Sequence, residues 1–225
     1  SGKESKHKSL YGDNLEPIKF DSIYDAKDFV KRYREVSNFP LYGNTNYASQ
    51  FISKVFPNNI EFDMSHISIV TIDIETSTEY GFPDSKNAQE EILLITVRDF
   101  NTKQFTTFGS KPFLVEQDNL TYIECTDEFD LLRKFIDFIK KDYPDVVTGW
   151  NVQLFDIAYL SARIIKVLGD NALNELSPFG IVEQFEVPVA KGRVVPSYNW
   201  VGIATLDYMD LYKKFSFKTL ESYAL

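Results

Sequence analysis

Apolar positions recur along the chain at two different periods. From residue 23 to 33 they form one helical stripe, Ile23, Ala26, Phe29, Val30 and Tyr33, with Ser22 placed to cap it and Asp25 three residues on. "NFPLYGNTN" ends that element, and residues 47–66 hold short mixed segments. The period then shortens to two. Strands are predicted over 67–75, 91–99, 104–108 and 120–124, with Asn101-Thr102-Lys103 as a tight link between the second and third. A helix is predicted over 127–142. Thr126 caps it, Asp127 and Glu128 suit its positive end, Lys140 and Lys141 suit its negative end, and Phe129, Leu132, Phe135, Ile136 and Ile139 make its buried stripe. "DVVTGW" reads as a short strand and residues 154–168 as a helix stopped by Gly169. A hairpin over 185–195 turns at Lys191-Gly192, and "VGIATLD" is a last strand that runs into "YMDLYKKF".

Three or four strands in a meander, then helix, strand, helix, strand, imply an α/β fold: a mixed sheet with helices packed on its faces, in the order of the ribonuclease H-like plan. The chain has 225 residues, 44% hydrophobic and 15% aromatic, which is enough to bury a core. Its single cysteine, Cys125, excludes an internal disulfide and a cysteine-based zinc cluster. Besides it only His7 and His66 offer nitrogen, so a metal here would be held by oxygens. No apolar run reaches membrane-spanning length and no signal peptide opens the chain, so no membrane partner is expected and a reducing, cytoplasm-like compartment is. Ser1-Gly2 in place of an initiator Met reads as the scar of a removed tag, as if the chain begins inside a longer protein. The net charge of −9 argues against clinging to nucleic acid through a basic surface, but leaves open an enzyme that handles nucleic acid through metal ions.

Alternation along "SIVTIDIETS" puts Val70, Ile72 and Ile74 on one face and Thr71, Asp73 and Glu75 on the other. Two carboxylates about 7 Å apart on one face repel each other, and a Mg²⁺ or Mn²⁺ ion removes that penalty. The alternative is a strand that simply emerges into solvent at Asp73. Asp73-x-Glu75 is the only D-x-E in the sequence. A second constellation lies in "PDVVTGWNVQLFDIAYL", where a short strand ends in Gly149-Trp150-Asn151 and Phe155-Asp156 opens a helix. The helix dipole favours the charged form of an Asp in the first turn, as a metal ligand requires. Asn151 can bond a backbone or a bound strand, and Phe155 can stack on a base. A helix-start acid and a core aromatic explain the same two residues without any function.

Taken together, "DIET" and "GWNVQLFD" resemble the first and second motifs of the 3′→5′ proofreading exonuclease region of family B DNA polymerases, and "PDVVTGWNVQLFDIAY" and "LDYMDLYKKFSF" are similar to the T-even-type phage branch. The resemblance implies residues 1–66 as part of a small α+β amino-terminal domain and 67–225 as the exonuclease domain, truncated before the third motif. It implies two-metal hydrolysis of the 3′-terminal phosphodiester of single-stranded or frayed DNA, with Mg²⁺ or Mn²⁺. Asp73 would bridge the ions, Glu75 would hold the nucleophile-side ion and orient the water, and Asp156 would serve the second. Phe155, Asn151 and Thr76 would position the strand. The hairpin with Lys191, Gly192 and Arg193 would help partition a primer end, or be a plain surface hairpin. Implied partners are single-stranded or primer-template DNA and the remaining polymerase domains. The chain would be a monomer working in the cytoplasm, the host's if phage-encoded.

The third motif of that family pairs a Tyr with an Asp one helical turn apart. Tyr208, Asp210 and Tyr212 in "YMDLY" have the wrong spacing, so Asp207 and Asp210 are read as structural and the isolated chain as weak or inactive. Other readings are the D-x-D glycosyltransferases, which have no use for "GWNVQLFD", and the haloacid-dehalogenase phosphatases, whose D-x-D-x-T this strand does not match. A non-enzymatic alternative is an exonuclease-fold scaffold that binds DNA without cutting it.

Overall fold

The structure is a computed structural model that describes residues 6–43, 46–58, 61–189, 192–216 and 223. The chain divides into two compact units, Ser1–Phe62 and Asp63–Leu225. No helix among the described residues is long and apolar enough to cross a membrane.

In the first unit, β1 (His7–Lys8) pairs antiparallel with β2 (Asn14–Leu15). Helix α1 (Ile23–Tyr33) starts where the sequence places it, since the Ser22 hydroxyl accepts the Asp25 N–H at 3.1 Å. Its stripe builds an aromatic cluster, with Phe29 4.6 Å from Tyr33 and 5.2 Å from Phe20. Helix α2 (Tyr47–Val55) falls in the stretch read as mixed segments. It buries no residue, so the stripe that would announce it in the sequence has no core to face.

The second unit is built on a six-stranded mixed sheet in the order β10-β7-β3-β4-β5-β6. The strands are β3 (Ile69–Thr76), β4 (Ile92–Asp99), β5 (Phe105–Gly109), β6 (Leu120–Glu124), β7 (Val146–Gly149) and β10 (Ala204–Asp207). β3, β4 and β5 form an antiparallel meander, while β7 lies parallel to β3 and β10 parallel to β7. That order and those directions are the ribonuclease H-like plan. β6 is not a fourth meander strand. It runs parallel to β5, because the residues between them cross back over the sheet instead of turning tightly.

Helices α3 (Glu128–Lys141), α4 (Asp156–Leu168), α5 (Asp170–Asn174) and α6 (Tyr208–Phe215) accompany the sheet. The α3 cap is Asp127, whose carboxylate accepts the Asp130 N–H at 2.8 Å; Thr126 instead donates its own N–H to Asp130. This reciprocal pair moves the predicted cap by one residue. Phe129 leaves the predicted stripe and is 57% exposed, and Leu131 takes the buried place. With the start shifted, the buried face is Leu131, Leu132, Phe135, Ile136 and Ile139. The core joins this face to Val70, Ile72 and Ile74 of β3, Ile95 and Val97 of β4, and Ile157, Leu160 and Ile164 of α4. Strands β8 (Val182–Pro188) and β9 (Val194–Trp200) form the expected antiparallel hairpin. Its turn residue Lys191 lies outside the described residues, and Gly192 takes the left-handed φ of 71° that suits a glycine. The last strand is shorter than predicted, since residues 201–203 turn through Gly202, at φ 100°.

Candidate active site

β3, β7 and β10 run in the same direction; β7 and β10 end level with each other, and β3 runs on past them to carry Asp73 beyond their ends. Asp207 registers with Gly149, and Thr71 with Thr148. Crevices at the carboxyl ends of parallel strands are where α/β sheets place ligands. Along β3, alternation holds as the sequence implies: Ile72 and Ile74 are buried, while Asp73 and Glu75 are exposed. The register slips between Glu75 and Thr76, where the strand leaves its regular pairing with β4.

Gly149 is required by a close approach. A Cβ there would stand 2.8 Å from the Ile72 carbonyl oxygen and 3.0 Å from the Val152 Cβ. The chain then turns through Asn151 at φ 58°, a left-handed conformation Asn tolerates better than most residues. Asp207 fixes this turn: its carboxylate accepts the N–H groups of Asn151 (3.0 Å), Gln153 (3.1 Å) and Met209 (2.9 Å). It is thus a clamp on the loop, as its reading as a structural residue implies. Ser197 of β9 grips the same loop, donating to the Gln153 carbonyl at 2.8 Å and accepting from the Gln153 amide.

Phe155 and Asp156 open α4. Phe155 packs partly against the core, with its ring 6.0 Å from Tyr159. Asp156 is only 4% exposed, and its Oδ1 accepts the Ile74 N–H from β3 at 3.1 Å. Burial is the main force on this carboxyl. The bond from Ile74 opposes it, the nearby Asp73 and Asp207 charges reinforce it, and the pKa rises to about 7. Asp73 stays open to water, yet the protein mass around it also lifts its carboxyl above the ordinary range. Among the described residues no Lys or Arg forms an ion pair with Asp73, Glu75 or Asp156.

Asp73, Ile74, Asn151, Phe155 and Asp156 line one cleft of about 430 Å³, shared with Trp150, Met209 and Tyr223. The structure therefore brings together Asp73, Asp156, Asn151 and Phe155. It does not bring Glu75 or Thr76 to the cleft wall, although Glu75 shares the strand face with Asp73. Gly192 and Arg193 stand at the hairpin turn and do not line the cleft. Among the described residues no three His, Cys, Asp or Glu side chains gather as a metal-holding group. The donors that do meet are hard carboxylate oxygens, one of them buried without a cation, which suits Mg²⁺ or Mn²⁺. Sequence reasoning took Asp207 as structural but did not find the loop that it clamps, and missed Trp150 as a cleft wall. Trp150 donates its indole N–H to the Tyr223 carbonyl at 2.8 Å and sits 5.9 Å from the Tyr208 ring. Tyr80 and Phe82 stand 80% and 91% exposed on the loop that leaves β3 and do not line the cleft.

The family defined as "DNA polymerase family B, exonuclease domain" matches residues 8–225. The chain belongs to this family. The DNA-directed DNA polymerase of Enterobacteria phage T4 is 30% identical over 247 residues, covering 99% of this chain and 27% of that protein. That of Escherichia phage RB69 is 29% identical, covering 98% and 27%. The DNA polymerase catalytic subunit of human herpesvirus 7 is 27% identical, covering 85% and 21%. A solved family B DNA polymerase from the hyperthermophilic archaeon Pyrobaculum calidifontis is 25% identical, with a TM-score of 0.46, covering 68% of this chain and 17% of that one. The chain thus spans about a quarter of the length of the phage relatives it matches. As a family B exonuclease domain it carries "DIET" at the end of β3 and "GWNVQLFD" between β7 and α4, on the two walls of one cleft.

Proposed function

We propose that this chain is the editing part of a DNA polymerase, which hydrolyses the 3′-terminal phosphodiester of single-stranded or frayed DNA. Residues 1–66 would then belong to the polymerase's amino-terminal domain, and the rest of the polymerase would be a partner. A phage-encoded polymerase would work in the cytoplasm of the infected cell. One observation carries the reading: Asp73 and Asp156 line one cleft, and Asp156 is buried there with no Lys or Arg paired to it among the described residues. A buried carboxylate with a second carboxylate beside it is costly to ionise, and a divalent cation offsets that cost.

Asp73 and Asp156 would hold cations in the cleft, with Glu75 contributing from the same face of β3. A Mg²⁺ or Mn²⁺ ion bound there would lower the pKa of the attacking water and neutralise the charge on the departing oxygen. Glu75 would orient the attacking water, which gives up a proton as its oxygen bonds to phosphorus and the bond to the 3′ oxygen breaks; the departing oxygen takes up a proton, leaving a nucleoside monophosphate and a shortened strand. Phe155 stacks on the terminal base. The left-handed turn at Asn151, fixed by Asp207, presents the Asn151 side-chain amide to the strand.

The place of Glu75 outside the cleft wall favours a second reading for this chain alone, an exonuclease-fold scaffold that binds DNA without cutting it. A 5′-labelled single-stranded oligonucleotide with Mg²⁺ or Mn²⁺ separates the two. Stepwise shortening from the 3′ end that Asp73→Ala abolishes supports editing. Binding without shortening, in this chain and in a protein of the phage relatives' length, supports the scaffold.

A further inference from the structure

Helix α4 carries a polar face at helical spacing, and Asp156 is only its first member. One turn on, Tyr159 is fully buried and donates its hydroxyl to the Glu90 carbonyl at 2.8 Å. At the next turn, Arg163 donates to the carbonyls of Ala88 (3.0 Å) and Gln89 (3.1 Å), and through Nε and Nη2 to both oxygens of Glu128 on α3, at 2.6 Å each. Lys166 reaches the Ala88 carbonyl at 3.2 Å. The Glu128 carboxylate accepts the Ile92 N–H as well, at 2.8 Å. All these bonds hold one end of the loop over residues 77–91.

The other end is held from within. The Glu90 side chain, 4% exposed, accepts the N–H groups of Glu79 (3.1 Å) and Tyr80. Ser77 donates its N–H to the Glu91 carbonyl at 2.8 Å. Ala88, 1% exposed, sits at φ 41°, a left-handed conformation that an alanine keeps only when its surroundings impose it. A buried bidentate ion pair, a buried acid gripping backbone N–H groups and a strained alanine thus fix one conformation of a long loop. Long loops inside compact domains are usually functional, and buried polar networks specify a single arrangement when every member is satisfied. None of the gripping side chains lines the cleft. What they hold out to solvent is Tyr80 and Phe82.

We propose that Arg163, Glu128 and Glu90 are positioning residues for strand binding, holding the loop over 77–91 so that Tyr80 and Phe82 stand ready to stack on the bases of a single strand. This rests on the exonuclease reading, because it takes a single strand as the ligand. The residues act through the loop and touch no substrate.

The test uses the double variant Glu128→Leu/Arg163→Met, since replacing both members of a buried pair by apolar groups leaves no orphaned charge. Its urea midpoint stays close to that of the unsubstituted chain, while amide exchange at residues 79, 80 and 88–92 speeds at least tenfold. Affinity for fluorescein-labelled dT12 carrying a 3′ phosphorothioate, read by anisotropy in Mg²⁺, falls about tenfold, whereas Mn²⁺ affinity is unchanged. Tyr80→Ala/Phe82→Ala loses a similar factor, and all four substitutions together lose no more than either pair, because both act through the same contact. Faster exchange with unchanged dT12 affinity, or losses that multiply, would overturn the positioning role. Failure of the unsubstituted chain to bind dT12 at all would instead remove the exonuclease reading, and the inference with it.

Discussion

Replacing Asp156 with Asn should make the metal-free protein more stable above neutral pH and leave it nearly unchanged in acid. In the fold this carboxyl titrates at about 7, against 3.8 when unperturbed. Between those values the folded chain keeps a proton that the unfolded chain has released, so stability falls as pH rises through that window and levels off above it. About three pH units at ~1.4 kcal/mol each give a loss of about 4 kcal/mol between pH 4 and pH 8. For a chain of this size that corresponds to roughly 10 °C in Tm. Asn keeps an oxygen to accept the Ile74 N–H, which now lies 3.1 Å from Oδ1, but carries no charge, so the variant's curve should be flatter by most of that amount. Urea unfolding in EDTA, followed by the fluorescence of Trp150 and Trp200, reports on the second unit, where both tryptophans lie. Parallel losses in the two proteins between pH 5 and pH 8 would refute the claim that Asp156 is the group holding the proton.

Three further outcomes follow from the geometry. Gly149→Ala forces a methyl against the backbone oxygen of Ile72, which has no room to yield, and should lower stability by about 1–3 kcal/mol in the same urea assay. Phe135→Ala should cost about 3–5 kcal/mol while Phe129→Ala stays within about 0.5 kcal/mol, since the first ring is fully buried and the second is mostly exposed; equal costs would mean that the α3 face is assigned wrongly. Phe155→Ala should weaken binding of a labelled oligonucleotide by about 1–3 kcal/mol, read by anisotropy, with Mn²⁺ affinity unchanged.

Much of this was legible in the sequence because the signals were periodic. The strand alternation of β3 separated Asp73 and Glu75 from Ile72 and Ile74 without any coordinates, and Gly169 marked the end of α4. Three elements were not legible. α2 buries nothing, so its pattern has no core to answer to. α6 hides behind Asp207, which ends β10 and caps the helix in one residue, leaving no spacer to signal the change. The direction of β6 depends on how a ten-residue link crosses the sheet, and periodicity carries no information about direction. At the site, the carboxylates announced themselves through spacing. Asp207 did not, because it acts on backbone N–H groups more than fifty residues away in sequence. Nor did Arg163 and Glu128, whose pairing exists only once α3 and α4 pack together.

Mn²⁺ binding, followed by electron paramagnetic resonance at pH 8, probes most directly whether the cleft is a cation site. The unsubstituted chain should take up Mn²⁺ in competition with Mg²⁺, and Asp73→Asn and Asp156→Asn should each weaken that uptake at least tenfold. Binding that both substitutions leave intact, or no binding at all, would mean that these carboxylates face each other for some other reason.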